Sequence, residues 1–154
     1  MRWPLDQLLQ HLGESASLLT TGDELGDPSL ASRLRAWASE VEAFIDVPLG
    51  SNSELIALED YRGSLINRDD IDDRLHELPV DVRDAVEGWL RDGPDAEFLS
   101  LTEPDDDHLL IRADIDDAPE GKIWDSRVPR SGLTRIALER EARKSDTPSG
   151  GDTN

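Results

Sequence analysis

Three runs of aspartate come nearest to chemistry by type and spacing: Asp69, Asp70, Asp72 and Asp73; Asp105, Asp106 and Asp107; and Asp114, Asp116 and Asp117. Clustered oxygen ligands are what calcium and magnesium require. The spacing nevertheless departs from the known calcium loop. A window opening at Asp114 puts Ala118 and Pro119 where an oxygen ligand and the turn glycine belong, and closes on Asp125 rather than glutamate. These carboxylates therefore read as solvated turn and helix-cap groups. No metal or other cofactor is expected, and a metal-assisted hydrolase is the weakest of three functional readings.

Nucleophilic catalysis needs a serine or cysteine beside a base. The chain has no cysteine, and none of its serines stands in a Gly-x-Ser-x-Gly turn. The histidines have structural explanations: His11 borders a leucine stripe, His76 falls near a helix end where positive charge is favoured, and His108 opens an expected strand. Nothing singles out one acid and base pair among 35 carboxylates. The chain is not expected to be an enzyme.

Charge is the strongest global signal. The net charge is −19, and its distribution is uneven. Asp69 to Asp125 holds five basic and twenty acidic residues, whereas Ser126 to Lys144 holds six basic and two acidic. Such a field repels nucleic-acid phosphates and anionic lipid, so neither nucleic acid nor membrane is an expected partner, and it attracts a basic protein. The same acidity could serve solubility alone, as in a salt-adapted cytoplasm, and the use of fourteen arginines beside two lysines fits that reading too. Arg127, Arg130, Arg135, Arg140 and Arg143 are expected to pair with the acidic middle of the chain; the alternative is an anion-binding patch of Arg127, Arg130 and Arg135. The absence of cysteine and of any signal-like or spanning apolar run points to the cytoplasm.

The elements that would position these groups follow from hydrophobic period. Leu78 to Ala113 reads as the organising stretch, an amphipathic helix feeding a β-hairpin. Val82, Val86, Trp89 and Leu90 share one helical stripe, Pro79 suits the first turn, and Gly93 with Pro94 ends it, the glycine in a left-handed conformation. Phe98, Leu99 and Leu101 then form one strand, Pro104 to Asp107 a turn, and His108 to Ala113 the return strand. Ile123, Trp124 and Val128 make a third.

Helices are expected over Pro4 to Leu19, weakened by Gly13, and over about Pro28 to Asp46, capped by Asp27 or Ser29 with Leu30, Leu34, Trp37, Val41, Phe44 and Ile45 inward. A short helix covers Glu54 to Arg62 with Leu55, Leu58 and Tyr61 inward. Ser64 to Asn67 is an edge strand or a link, and Asp69 to Leu78 is another short helix with Ile71, Leu75 and Leu78 inward. A last helix runs to about Lys144 with Leu133, Ile136 and Ala137 inward, and 145–154 has a disordered composition.

The expected class is α+β: a single domain over 1–144, with a helical N-terminal half packed on a small antiparallel sheet of about three strands and closed by a C-terminal helix. The leading functional expectation is a non-enzymatic protein that binds a basic partner, such as a nuclease or other toxin, through an acidic face. Asp105, Asp106, Asp107, Asp114, Asp116 and Asp117 would make the contacts, with Trp124 as an aromatic anchor. In kind, this resembles immunity or antitoxin proteins that neutralise cationic nucleases and proteins that imitate the charge of DNA; no motif here belongs to a named family.

Overall fold

The computed structural model describes residues 2–21, 28–46, 54–112 and 127–146. They gather into two compact units, one of Met1–Asp46 with Asn67–Ser100 and one of Val47–Ile66 with Leu101–Asn154.

In the first unit, α1 (Asp6–Leu12) passes through a 3-10 turn (Gly13–Ala16) into α2 (Ser17–Thr20). The expected single helix is broken where Gly13 takes φ +58, a conformation that glycine adopts without the Cβ penalty. α3 (Leu30–Asp46) matches the strongest helical pattern in the sequence. Ser29 caps it, accepting the Ser32 N–H at 3.1 Å, and Leu30, Leu34, Trp37 and Val41 are buried as their spacing requires.

The stretch from 54 to 78, expected as two short helices around a link, is instead one helix, α4 (Glu54–Leu75). No proline interrupts it, Gly63 costs a helix only about 1 kcal/mol relative to alanine, and Ser64 Oγ donates back to the Asp60 carbonyl at 2.9 Å inside the helix. Tyr61, Leu65, Arg68, Ile71 and Leu75 are all buried at helical spacing.

α5 (Val80–Asp92) buries Val82, Val86 and Leu90 at successive fours, and α1 packs against it. Its C-terminal Gly93 is not left-handed: φ is −125. Close approach explains the glycine instead, since a Cβ there would lie 2.9 Å from both Trp3 Cδ1 and the Trp89 carbonyl oxygen.

Pro94 does not open a strand. It stands first in α6 (Pro94–Leu101), where a missing N–H costs nothing, and Asp95 and Glu97 favour the positive end of the helix dipole. The expected hairpin is therefore absent among the described residues. Phe98 is buried against Trp37 with ring centroids 5.0 Å apart, and Leu99 is exposed.

In the second unit, the strands are shorter and placed differently from the expectation. β1 (Thr102–Pro104) pairs antiparallel with β2 (Arg127–Pro129) in the register Thr102 to Pro129, Glu103 to Val128 and Pro104 to Arg127. Among the described residues the sheet has two strands. Val128 is in a strand as expected, while Ile123 and Trp124 lie outside the described residues. A proline in each strand removes a ladder donor, which suits a short two-stranded ribbon.

His108 to Ala113, the expected return strand, holds the single-turn helix α7 (Leu109–Arg112), which packs on α8 (Leu133–Asp146). α8 continues past Lys144 to Asp146 and buries Ala137, Leu138 and Ala142. Ile136, expected inward, is 43% exposed because the buried face centres one position later.

Candidate functional site

Of the predicted contacts, the 105–107 loop can be placed, and its three aspartates differ. Asp105 accepts the Leu109 N–H at 2.7 Å on Oδ1 and the Leu110 N–H at 3.0 Å on Oδ2, so its carboxylate is the cap of α7. Asp106 and Asp107 are exposed and make no ion pair among the described residues. The Asp107 carbonyl accepts from Arg112 at 3.0 Å, leaving the carboxylate to solvent. His108 holds φ +56 and donates its N–H to the Asp105 carbonyl at 3.1 Å, which fixes the loop. Asp114, Asp116, Asp117 and Trp124 lie outside the described residues.

The arginines of the second unit are engaged locally. Arg127 donates to Thr102 Oγ1 and to the Thr102 carbonyl, both at 2.9 Å, and Tyr61 Oη donates to the Arg127 carbonyl. Arg135 pairs with Glu103 at 3.4 Å and Glu139 at 3.3 Å, and Arg130 stands 3.9 Å from Glu103. An anion patch of Arg127, Arg130 and Arg135 would have to compete with these partners.

The first unit contains an arrangement that sequence reasoning missed. Arg68, with its side chain 5% exposed, meets Asp95 by a two-pronged contact: Nε to Oδ1 at 3.0 Å and Nη2 to Oδ2 at 2.8 Å. Trp37 Nε1 donates to the same Oδ1 at 2.8 Å, and Arg68 Nη1 reaches Asp72 at 2.6 Å. Burial disfavours the Arg68 charge, but the hydrogen bond and charge of Asp95, then those of Asp72, outweigh it and hold the guanidinium pKa above the ordinary arginine value. The partners complete one another, which makes the network structural. Its signal in the sequence was Arg68 falling in helical phase with Tyr61, Leu65, Ile71 and Leu75.

The Asp69 to Asp73 run is likewise dispersed by its helix. Asp70 pairs with Arg33 at 3.0 Å and Asp72 with Arg68, while Asp73 is exposed. No group of three or more metal-ligating side chains is assembled among the described residues, and no helix there is long and apolar enough to cross a membrane.

A row missed as a contact surface runs from the turn after α4 into α5: Glu77, Asp81 and Asp84 are exposed and carry no ion pair among the described residues. Asp81 stands in the first turn of α5, where the dipole favours it. Comparison of the chain with protein-family models, with curated proteins and with solved structures gave no match in any of the three.

Proposed function

We propose that this chain is a non-enzymatic, cytoplasmic protein that binds a basic partner through exposed carboxylates, in the manner of immunity or antitoxin proteins that cap a cationic nuclease or other toxin. The observation that carries the reading is a division among the acids. Asp70, Asp72, Asp95 and Glu103 are consumed by the protein's own arginines, whereas Asp106, Asp107, Glu77, Asp81 and Asp84 are exposed and carry no ion pair among the described residues. Carboxylates free of internal partners set the field that an approaching basic surface meets; that field raises the encounter rate, and an apolar anchor supplies residence time. By the sequence argument, Asp114, Asp116 and Asp117 extend the loop contacts and Trp124 is the anchor. The Asp105 carboxylate, already occupied by α7, is not among them.

The test is capture of partners from a lysate of the source organism by the tagged chain at low and at high salt, with mass-spectrometric identification. Recovery of one stoichiometric basic protein, lost when Asp106 and Asp107 are both changed to lysine or when Asp81 and Asp84 are, supports the proposal. Capture indifferent to both double reversals would refute it.

A second reading, acidity serving solubility in high salt, is favoured by the arginine-over-lysine bias. It predicts stability rising steeply with molar salt and no stoichiometric partner. The fold gives that bias another origin, because Arg68 and Arg127 use the planar fork that lysine lacks.

A further inference from the structure

A cleft of about 230 Å³ opens in the first unit above the Arg68–Asp95 pair. One wall is the outer row of α5, where Arg83, Glu87 and Arg91 follow one another at successive turns, plus, minus, plus; Leu75 and Leu90 lie at the floor and His76 at the rim. Charges spaced four apart on a helix ordinarily pair. Here they do not. Arg83 and Glu87 make no ion pair among the described residues, and Arg91 touches only the exposed Asp92, at 3.7 Å. The deeper acids have no such freedom, since Asp72 and Asp95 are both held by Arg68. The cleft thus presents one guanidinium group, Arg83, and one carboxylate, Glu87, without an ion pair among the described residues, with Arg91 held only by the exposed Asp92 and a little apolar surface beside them.

The chemistry narrows what could bind. A simple anion meets the guanidinium groups but must approach a chain of net charge −19. A simple cation is drawn in by that field and then meets two arginines. A zwitterion carries no net charge for the field to repel and matches both signs in the cleft. Cβ atoms one turn apart on a helix stand about 5–6 Å from each other, close enough for one small molecule to reach both Arg83 and Glu87. The volume corresponds to roughly eight waters at about 30 Å³ each, a ligand of amino-acid size.

We infer that this cleft binds a free amino acid or similar small zwitterion, its carboxylate on Arg83, its ammonium on Glu87, and its side chain over Leu75 and Leu90. The inference stands apart from the basic-partner proposal, which uses none of these residues.

Titration of the full chain with L-leucine, with acetate and with methylammonium, followed by amide chemical shifts, tests it. The expected result is saturable shifts confined to the α4–α5 turn and α5 with L-leucine, and at least about tenfold weaker binding of either half-ligand. Arg83→Gln and Glu87→Gln, both at surface positions, should each weaken L-leucine by about tenfold while leaving the far-UV spectrum and melting temperature unchanged. Absence of saturation, acetate binding as well as L-leucine, or equal affinity in both variants would overturn it.

Discussion

Changing Asp95 to alanine removes two contacts to Arg68 and the acceptor of the Trp37 indole in one step. Arg68 then keeps Asp72, whose side chain is 36% exposed, but loses its buried counter-ion. A buried charge stripped of its partner costs about 3–5 kcal/mol, against a total stability of about 5–15 kcal/mol for a typical protein. With a urea slope of about 2 kcal/mol/M, the unfolding midpoint should fall by roughly 2 M. Asp95→Asn, which keeps an oxygen for Trp37 but not the charge, should lose about half as much. Arg68→Met with Asp95→Leu removes both charges together and should fall well short of the single alanine change, leaving mainly the loss of the Asp95 acceptor for the Trp37 N–H, about 1–3 kcal/mol. Urea curves of the three variants, read by far-UV circular dichroism, decide the matter. If Asp95→Ala unfolds within 1 kcal/mol of the parent, or the apolar pair is worse than the single change, the network does not hold this unit together as described.

Two glycines in helical context should respond oppositely to alanine. Gly93→Ala, with a Cβ 2.9 Å from Trp3 and from the Trp89 carbonyl, should destabilise by about 1–3 kcal/mol, whereas Gly63→Ala, with nothing within 4 Å, should stabilise by about 0.5–1 kcal/mol; melting temperatures give both signs. Asp105→Ala should cost about 1 kcal/mol and speed hydrogen exchange at Leu109 and Leu110, while Asp105→Asn, which keeps one acceptor oxygen in place of two, should recover part of the stability and protect only one of the two amides. A folded-state pKa raised above the unfolded value contributes stability that is fully present below the unfolded pKa and lost as pH rises through the folded one. For Arg68 that window lies in strong alkali, so its contribution should be constant from neutrality to about pH 10, checked by comparing parent and Arg68→Met curves.

Most of the helical layout was legible because apolar residues keep helical time. α3 and α5 bury most of the positions their spacing named, Leu30, Leu34, Trp37 and Val41 in one and Val82, Val86 and Leu90 in the other, while Trp89 is half-buried and the side chains of Phe44 and Ile45 lie outside the described residues. α4 was not legible for a reason of physics. Its buried stripe includes Ser64 and Arg68, so hydropathy sees a gap where the helix in fact places a hydrogen-bonded serine and a paired arginine. The 94–113 stretch misled differently. A short apolar run such as Phe98, Leu99 and Leu101 fits strand or helix equally, and the Gly93–Pro94 joint ends one helix while opening another. At the candidate site, the sequence pointed to the 105–107 loop but not to the capping role that separates Asp105 from its neighbours, which depends on α7 forming.

The exposed carboxylates that carry no ion pair among the described residues are the proposed binding surface. The most direct test is the Kd of the captured basic partner for the parent chain, for Asp106→Lys with Asp107→Lys, for Asp81→Lys with Asp84→Lys, and for Arg83→Gln, each at low and at high salt. Affinity should fall as salt rises, drop at least about tenfold in one of the lysine pairs together with a flatter salt dependence, and stay unchanged for Arg83→Gln. Affinity that ignores both salt and charge reversal would contradict the proposal.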